Sequence, residues 1–184
     1  MLKSNLEVCK MEFQLKHAVE ILEQTPQTLR SLLGGLSEAW TLANEGPDTW
    51  SPFDVVGHLI HGEETDWIPR LKIILEHGED LTFTPFDRFA FFEKSKGKTL
   101  HELLATFTRL RKESLRVLDE LKLGPHHFDL KGRHPEFGTV TLGQLLSTWV
   151  VHDLSHIDQI IRTMAVQYLD AVGPWKAYLS ILKR

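Results

Sequence analysis

Thr141-Leu142-Gly143-Gln144-Leu145-Leu146-Ser147-Thr148-Trp149-Val150-Val151-His152-Asp153-Leu154-Ser155-His156-Ile157-Asp158-Gln159 is the stretch that decides the fold class. A threonine followed three residues later by glutamine, ahead of an apolar run, is the signature of a capped helix start. The apolar residues beyond it keep a helical period to about residue 168. Within this helix His152 and His156 stand four residues apart, so both imidazoles leave one face, one turn from each other. Two rings so placed can grip one metal ion from one helix. Gln159 falls close to the same face, where it can contact a ligated ring, a bound water or a substrate. Asp153 and Asp158 fall off it and read as surface charges or as partners for a ring N–H.

A third histidine, His58, sits among Val55, Val56 and Leu59 in an earlier helical stretch. If that helix packs on the first, three neutral nitrogens converge and leave a coordination position free, the mark of a catalytic rather than a structural site. The same residues also suit satisfied core histidines. His61, one turn on, is a reserve ligand. The run Glu63-Glu64-Thr65-Asp66 reads as a solvated acidic cluster. His126, His127 and His134 fall in a loop, from which His134 can overhang a pocket.

The rest of the chain is also helical in pattern. A first helix is predicted over residues 6–24, with a restart at Thr25-Pro26 that runs to Leu33 and stops at Gly34-Gly35. Ser51-Pro52-Phe53-Asp54 opens the second helix: serine as N-cap, proline in the first turn, aspartate at the positive end of the dipole. Pro69 should bend it before it ends at His77-Gly78. Residues 79–98 form a connection with five phenylalanines, too many to leave in water, so it should pack over the bundle and can wall one side of a pocket. Thr99-Leu100-His101-Glu102 is a second capping box, opening a helix to about Leu121. Residues 126–140 read as a loop with a short hairpin around His134–Gly138. A short final helix should carry Trp175, Tyr178, Leu179 and Ile181. Four main helices without an internal repeat predict an all-α four-helix bundle, in one domain over residues 1–184.

Composition narrows the function classes. The net charge is −4, and lysine and arginine are dispersed, so nucleic acid is a poor partner. Cys9 is the only cysteine, which rules out an intramolecular disulfide and leaves histidine and carboxylate to hold any metal. There is no apolar signal region and no apolar run of membrane-spanning length, so a cytoplasmic protein without a membrane partner is expected.

Taken together, these motifs resemble the DinB/YfiT-like superfamily of metalloenzymes. The resemblance covers nearly the whole chain. It rests on Trp50-Ser51-Pro52 leading to His58-Leu59, and on His152-x-x-x-His156-x-x-Gln159. Gly138-Thr139-Val140-Thr141-Leu142 and Trp149-Val150-Val151-His152-Asp153-Leu154 add to it. It implies an up-down-down-up four-helix bundle, often a homodimer. It also implies a divalent metal ion, commonly zinc or nickel, on three histidines that carry over here as His58, His152 and His156. Some relatives are transferases using bacillithiol or another low-molecular-weight thiol, and one branch is a mycothiol-dependent maleylpyruvate isomerase. No residue in this chain selects among these chemistries.

The expected function is therefore a metal-dependent enzyme acting on a small molecule. It would be a low-molecular-weight-thiol S-transferase or a hydrolase, with Gln159 orienting the incoming group. The alternative is a non-catalytic, metal-binding, stress-associated helical dimer.

Overall fold

A computed structural model describes residues 11–183; residues 6–10 of the expected first helix, Cys9 among them, lie outside the described residues. Four long helical rods form the body: α1 (Leu15–Leu33), α3 (Pro52–Thr65) continued by α4 (Trp67–His77), α6 (Leu100–Glu120) and α7 (Leu142–Val166). Two short helices, α2 (Glu38–Thr41) and α5 (Phe91–Ser95), lie in the connections. All three start signals hold in detail. The Ser51, Thr99 and Thr141 side chains accept from the amides of Asp54, Glu102 and Gln144, which reach back to the cap amides.

The first two rods differ from expectation at their prolines. α1 begins at Leu15 and runs unbroken through Pro26. An interior proline leaves the carbonyl four residues back without a donor. Here that carbonyl, Leu22 O, accepts from Arg111 Nη1 at 2.9 Å. The Thr25 hydroxyl also donates to Ile21 O at 3.1 Å. The second rod does not bend at Pro69 but breaks at Asp66 (φ −111°, ψ −69°). The proline ring would collide with the Thr65 carbonyl in a continuous helix; after the break, Pro69 sits harmlessly in the first turn of α4.

Two core clusters set the helix directions. Leu22, Trp67, Leu118, Leu142 and Trp149 meet at one end. Leu29, Leu33, Val55, Leu59, Leu103, Phe107 and Ile160 meet at the other. The second set comes late in α1 and α7 but early in α3 and α6. So α1 and α7 run one way and α3 and α6 the other, an up-down-down-up bundle.

The aromatic connection covers one flank. Phe83 and Phe91 are buried, while Phe89 and Phe92 remain exposed. Between α6 and α7 the expected hairpin forms from β1 (Lys131–His134) and antiparallel β2 (Gly138–Thr141), pairing His134 with Gly138. The expected short final helix forms as two 3₁₀ segments, Gly173–Ala177 and Ser180–Lys183. Trp175 and Tyr178 stay 71% and 87% exposed, so no buried face holds a longer helix there. Among the described residues, no helix is long and apolar enough to cross a membrane.

Candidate metal centre

The structure brings His58, His152 and His156 together. α3 presents His58 toward α7, whose one-turn spacing aims the other two rings at the same point. His152 Nε2 lies 3.1 Å from His58 Nε2 and 3.1 Å from His156 Nε2. All three candidate ligand atoms fall within 4.8 Å of one another. Two ligands about 2.0–2.1 Å from one ion, at tetrahedral or octahedral angles, stand roughly 2.9–3.4 Å apart, and the two short edges match that spacing.

Hydrogen bonding fixes one ring. His156 Nδ1 lies 2.8 Å from Gln159 Oε1, an acceptor, so the proton belongs on Nδ1 and the lone pair on Nε2. A proton on His152 Nε2 could be donated to only one of its two neighbours. Without a cation, at least one of the two close nitrogen pairs therefore has no proton between its lone pairs. His58 Nδ1 and His152 Nδ1 are buried with no hydrogen-bond partner, so only His156 has its tautomer set by a neighbour.

The trio is electrically neutral in the working range. Burial, with the neighbouring His156 ring, lowers the His58 pKa to about 3. Burial, with the His156 and His58 rings, lowers that of His152 to about 2. His156 is lowered too, chiefly by burial, against an upward pull from Gln159. Unprotonated nitrogens are what a metal requires. Aromatic rings hold the imidazoles in place. Trp50 lies 4.8 Å from His58 and stacks over His156 at 6.3 Å, and Trp67 meets His152 edge-on at 5.1 Å.

Directly behind the trio is a buried ionic knot that the sequence did not reveal. Arg111 donates to Glu63 Oε1 (3.0 and 2.8 Å), to Asp153 (2.6 and 3.0 Å) and to the Leu22 carbonyl. Trp149 Nε1 also donates to Glu63 Oε1 at 3.1 Å. The knot ties all four rods together beside His152. It overturns two expectations: Glu63 belongs to no solvated cluster, and Asp153 is fully buried rather than a surface charge. Asp66 is buried as well, paired with Arg70 at 2.5 Å. Burial pushes the Glu63 and Asp66 carboxyls up, and the arginines pull back. A signal was present: Arg111 falls in register with Phe107, Ser114 and Leu118 on the buried stripe of α6.

A cleft of about 480 Å³ opens above the trio. Phe83, Phe86, Phe137 and Leu145 supply apolar wall, so the aromatic connection does border a pocket. His134 lines it from the hairpin. Its Nδ1 accepts from the Glu136 and Phe137 amides (3.1 and 3.3 Å), which leaves its proton on Nε2. His61 does not join the trio; its Nδ1 lies 3.3 Å from Lys94 Nζ, and Lys94 pairs with Glu64 at 2.6 Å.

Comparison with known proteins agrees with this picture. YfiT from Bacillus subtilis, described as a probable metal-dependent hydrolase with an unusual four-helix bundle topology, superposes with a TM-score of 0.70. The match covers 83% of this chain and 88% of YfiT at 22% identity. TT2238, a four-helix bundle protein, superposes with a TM-score of 0.56 over 82% of this chain and 100% of its own, at 21% identity. At such identities the likeness establishes the fold. No protein of curated function matches in sequence. The sequence profile of the DinB superfamily matches residues 21–160, which include all three histidines of the trio, and the chain belongs to that superfamily.

Proposed function

We propose that this protein is a metal-dependent hydrolase of a small molecule, with His58, His152 and His156 as the metal ligands. The observation that carries the reading is the convergence of three neutral imidazole nitrogens at the floor of an open cleft. A divalent ion held by these three uncharged ligands would keep its full charge, and would polarise a substrate oxygen and lower the pKa of water to about 7. Imidazole suits zinc and nickel alike.

The chain's own residues have separable tasks. Gln159 fixes the tautomer and rotation of His156. Trp50 and Trp67 hold the rings by packing. Phe83 and Phe86 exclude bulk water from one side of the cleft. His134 Nε2–H can donate to a substrate oxygen.

A second reading has one observation in its favour. Among the described residues, two carboxylates near the trio are already engaged: Asp153 is held by Arg111, and Asp66, which lines the same cleft, is paired with Arg70. A low-molecular-weight thiol, more acidic than water and held as its thiolate by a divalent ion, would depend still less on such a base, as an S-transferase would use it.

One experiment separates the readings. Wild-type protein and His152→Ala are analysed for metal, then assayed on activated esters and amides with and without added thiol. The hydrolase reading expects metal-dependent turnover without thiol. Strictly thiol-dependent turnover overturns it in favour of the transferase. Metal content unchanged in His152→Ala removes the trio from both.

A further inference from the structure

We propose that the cleft takes anionic substrates, and that Arg88 binds their carboxylate while the apolar body lies along the cleft toward the hairpin. The inference deepens the hydrolase reading by naming its substrate class, but anion binding at Arg88 does not itself require a metal.

The charges of the cleft are unevenly neutralised. Arg70 is paired with Asp66. Arg88 makes no ion pair among the described residues; its guanidinium instead lies 6.0 Å from the Trp50 ring centre and 5.7 Å from that of Phe89. Cation–π contacts with two rings narrow the positions of a long side chain and leave its N–H donors available to an anion. Trp50 is also the ring that packs on His58 and His156, so the guanidinium stands one aromatic layer from the trio. Its charge reaches the His58 ring.

The hairpin side of the cleft is less favourable to an anion than Arg88: there the charge of Arg70, already paired with Asp66, and that of Glu136 on the hairpin turn act on His134 in opposite senses. His134 offers a neutral N–H, suited to an uncharged oxygen. Phe86, Phe137 and Leu145 line the same cleft with apolar side chains. The arrangement fits an amphipathic acid oriented with its charge at Arg88. A second cavity of about 370 Å³ also borders Trp50, Arg88 and His156, so the guanidinium is reachable from both sides.

The test uses the full chain, stripped of metal by chelator so that no carboxylate can bind an ion. Titration calorimetry compares 3-phenylpropanoate with its neutral amide. The acid is expected to bind at least about tenfold more tightly, since a charge-assisted contact to guanidinium has no counterpart in the amide. Arg88→Gln should reduce the margin to less than about twofold, and Arg88→Lys should keep part of it. Equal binding of acid and amide, no binding of the acid at millimolar concentration, or a margin that survives Arg88→Gln overturns the proposal. If wild-type protein holds no metal but the Arg88-dependent margin is found, the hydrolase reading fails and the anion site stands. Arg88 is exposed, and circular dichroism checks that its variants fold.

Discussion

Arg111 supplies the hydrogen that Pro26 lacks. The guanidinium of one rod donates to the Leu22 carbonyl that a residue with an amide at position 26 would have bonded, at 2.9 Å. The proline thus stays inside a helix, and the arginine gains an acceptor beyond its two carboxylates.

Removing Arg111 should be severe. Arg111→Met leaves Glu63 and Asp153 as unpaired buried acids and is expected to destabilise the protein by about 3–5 kcal/mol, read from urea unfolding midpoints. Replacing the acids as well, with Glu63→Gln and Asp153→Asn, should recover part of the loss. If the single variant unfolds at the wild-type midpoint, the knot is not holding the rods.

Gln159→Ala should weaken metal binding without abolishing it. The residue touches His156 Nδ1 and stands one step from the coordinating atoms. Loss of such a partner lowers affinity about 10–100-fold. Competition with a chromogenic chelator measures this, and the His156→Ala variant marks the larger loss expected of a ligand.

Acid should destabilise the metal-free protein through the trio. An exposed imidazole titrates near 6.5. The folded His58 and His152 resist protonation down to about 3 and about 2. Below pH 6.5 the unfolded chain therefore binds protons that the folded chain refuses. This contribution is absent above that value, and stability falls as pH drops toward 3. Urea midpoints at pH 7.5, 6 and 5 should decline more steeply for wild type than for His58→Leu. Parallel declines would mean that other groups cause the acid sensitivity.

Gly132→Ala should loosen the hairpin. A β-carbon there would meet Ile74 Cγ1 at 2.6 Å and Phe83 Cζ at 2.9 Å, both in the core. Overpacking of this kind costs about 1–3 kcal/mol. Because the same strand carries His134 into the cleft, the His134 ring signals in NMR spectra should shift as well. Unchanged stability would indicate that Ile74 and Phe83 yield freely.

The sequence by itself determined the four main helical rods, the capped starts of three of them and the three histidines. Capping boxes at Ser51, Thr99 and Thr141, and the four-residue spacing of His152 and His156, are local facts, set by bonds between residues one turn apart. The resemblance supplied the order of the rods and the link from His58 to the other two rings.

Only the tertiary structure decided the fate of the charged residues and the prolines. Glu63, Asp66 and Asp153 look like surface acids in sequence because their partners, Arg111 and Arg70, are recognisable only once rods pack or a turn closes. Pro26 stays helical because a donor arrives from a helix far along the chain. Arg88 gains its place beside the trio through Trp50, a residue of another segment. Burial and long-range pairing depend on which surfaces meet, and no local pattern along the chain encodes that alone.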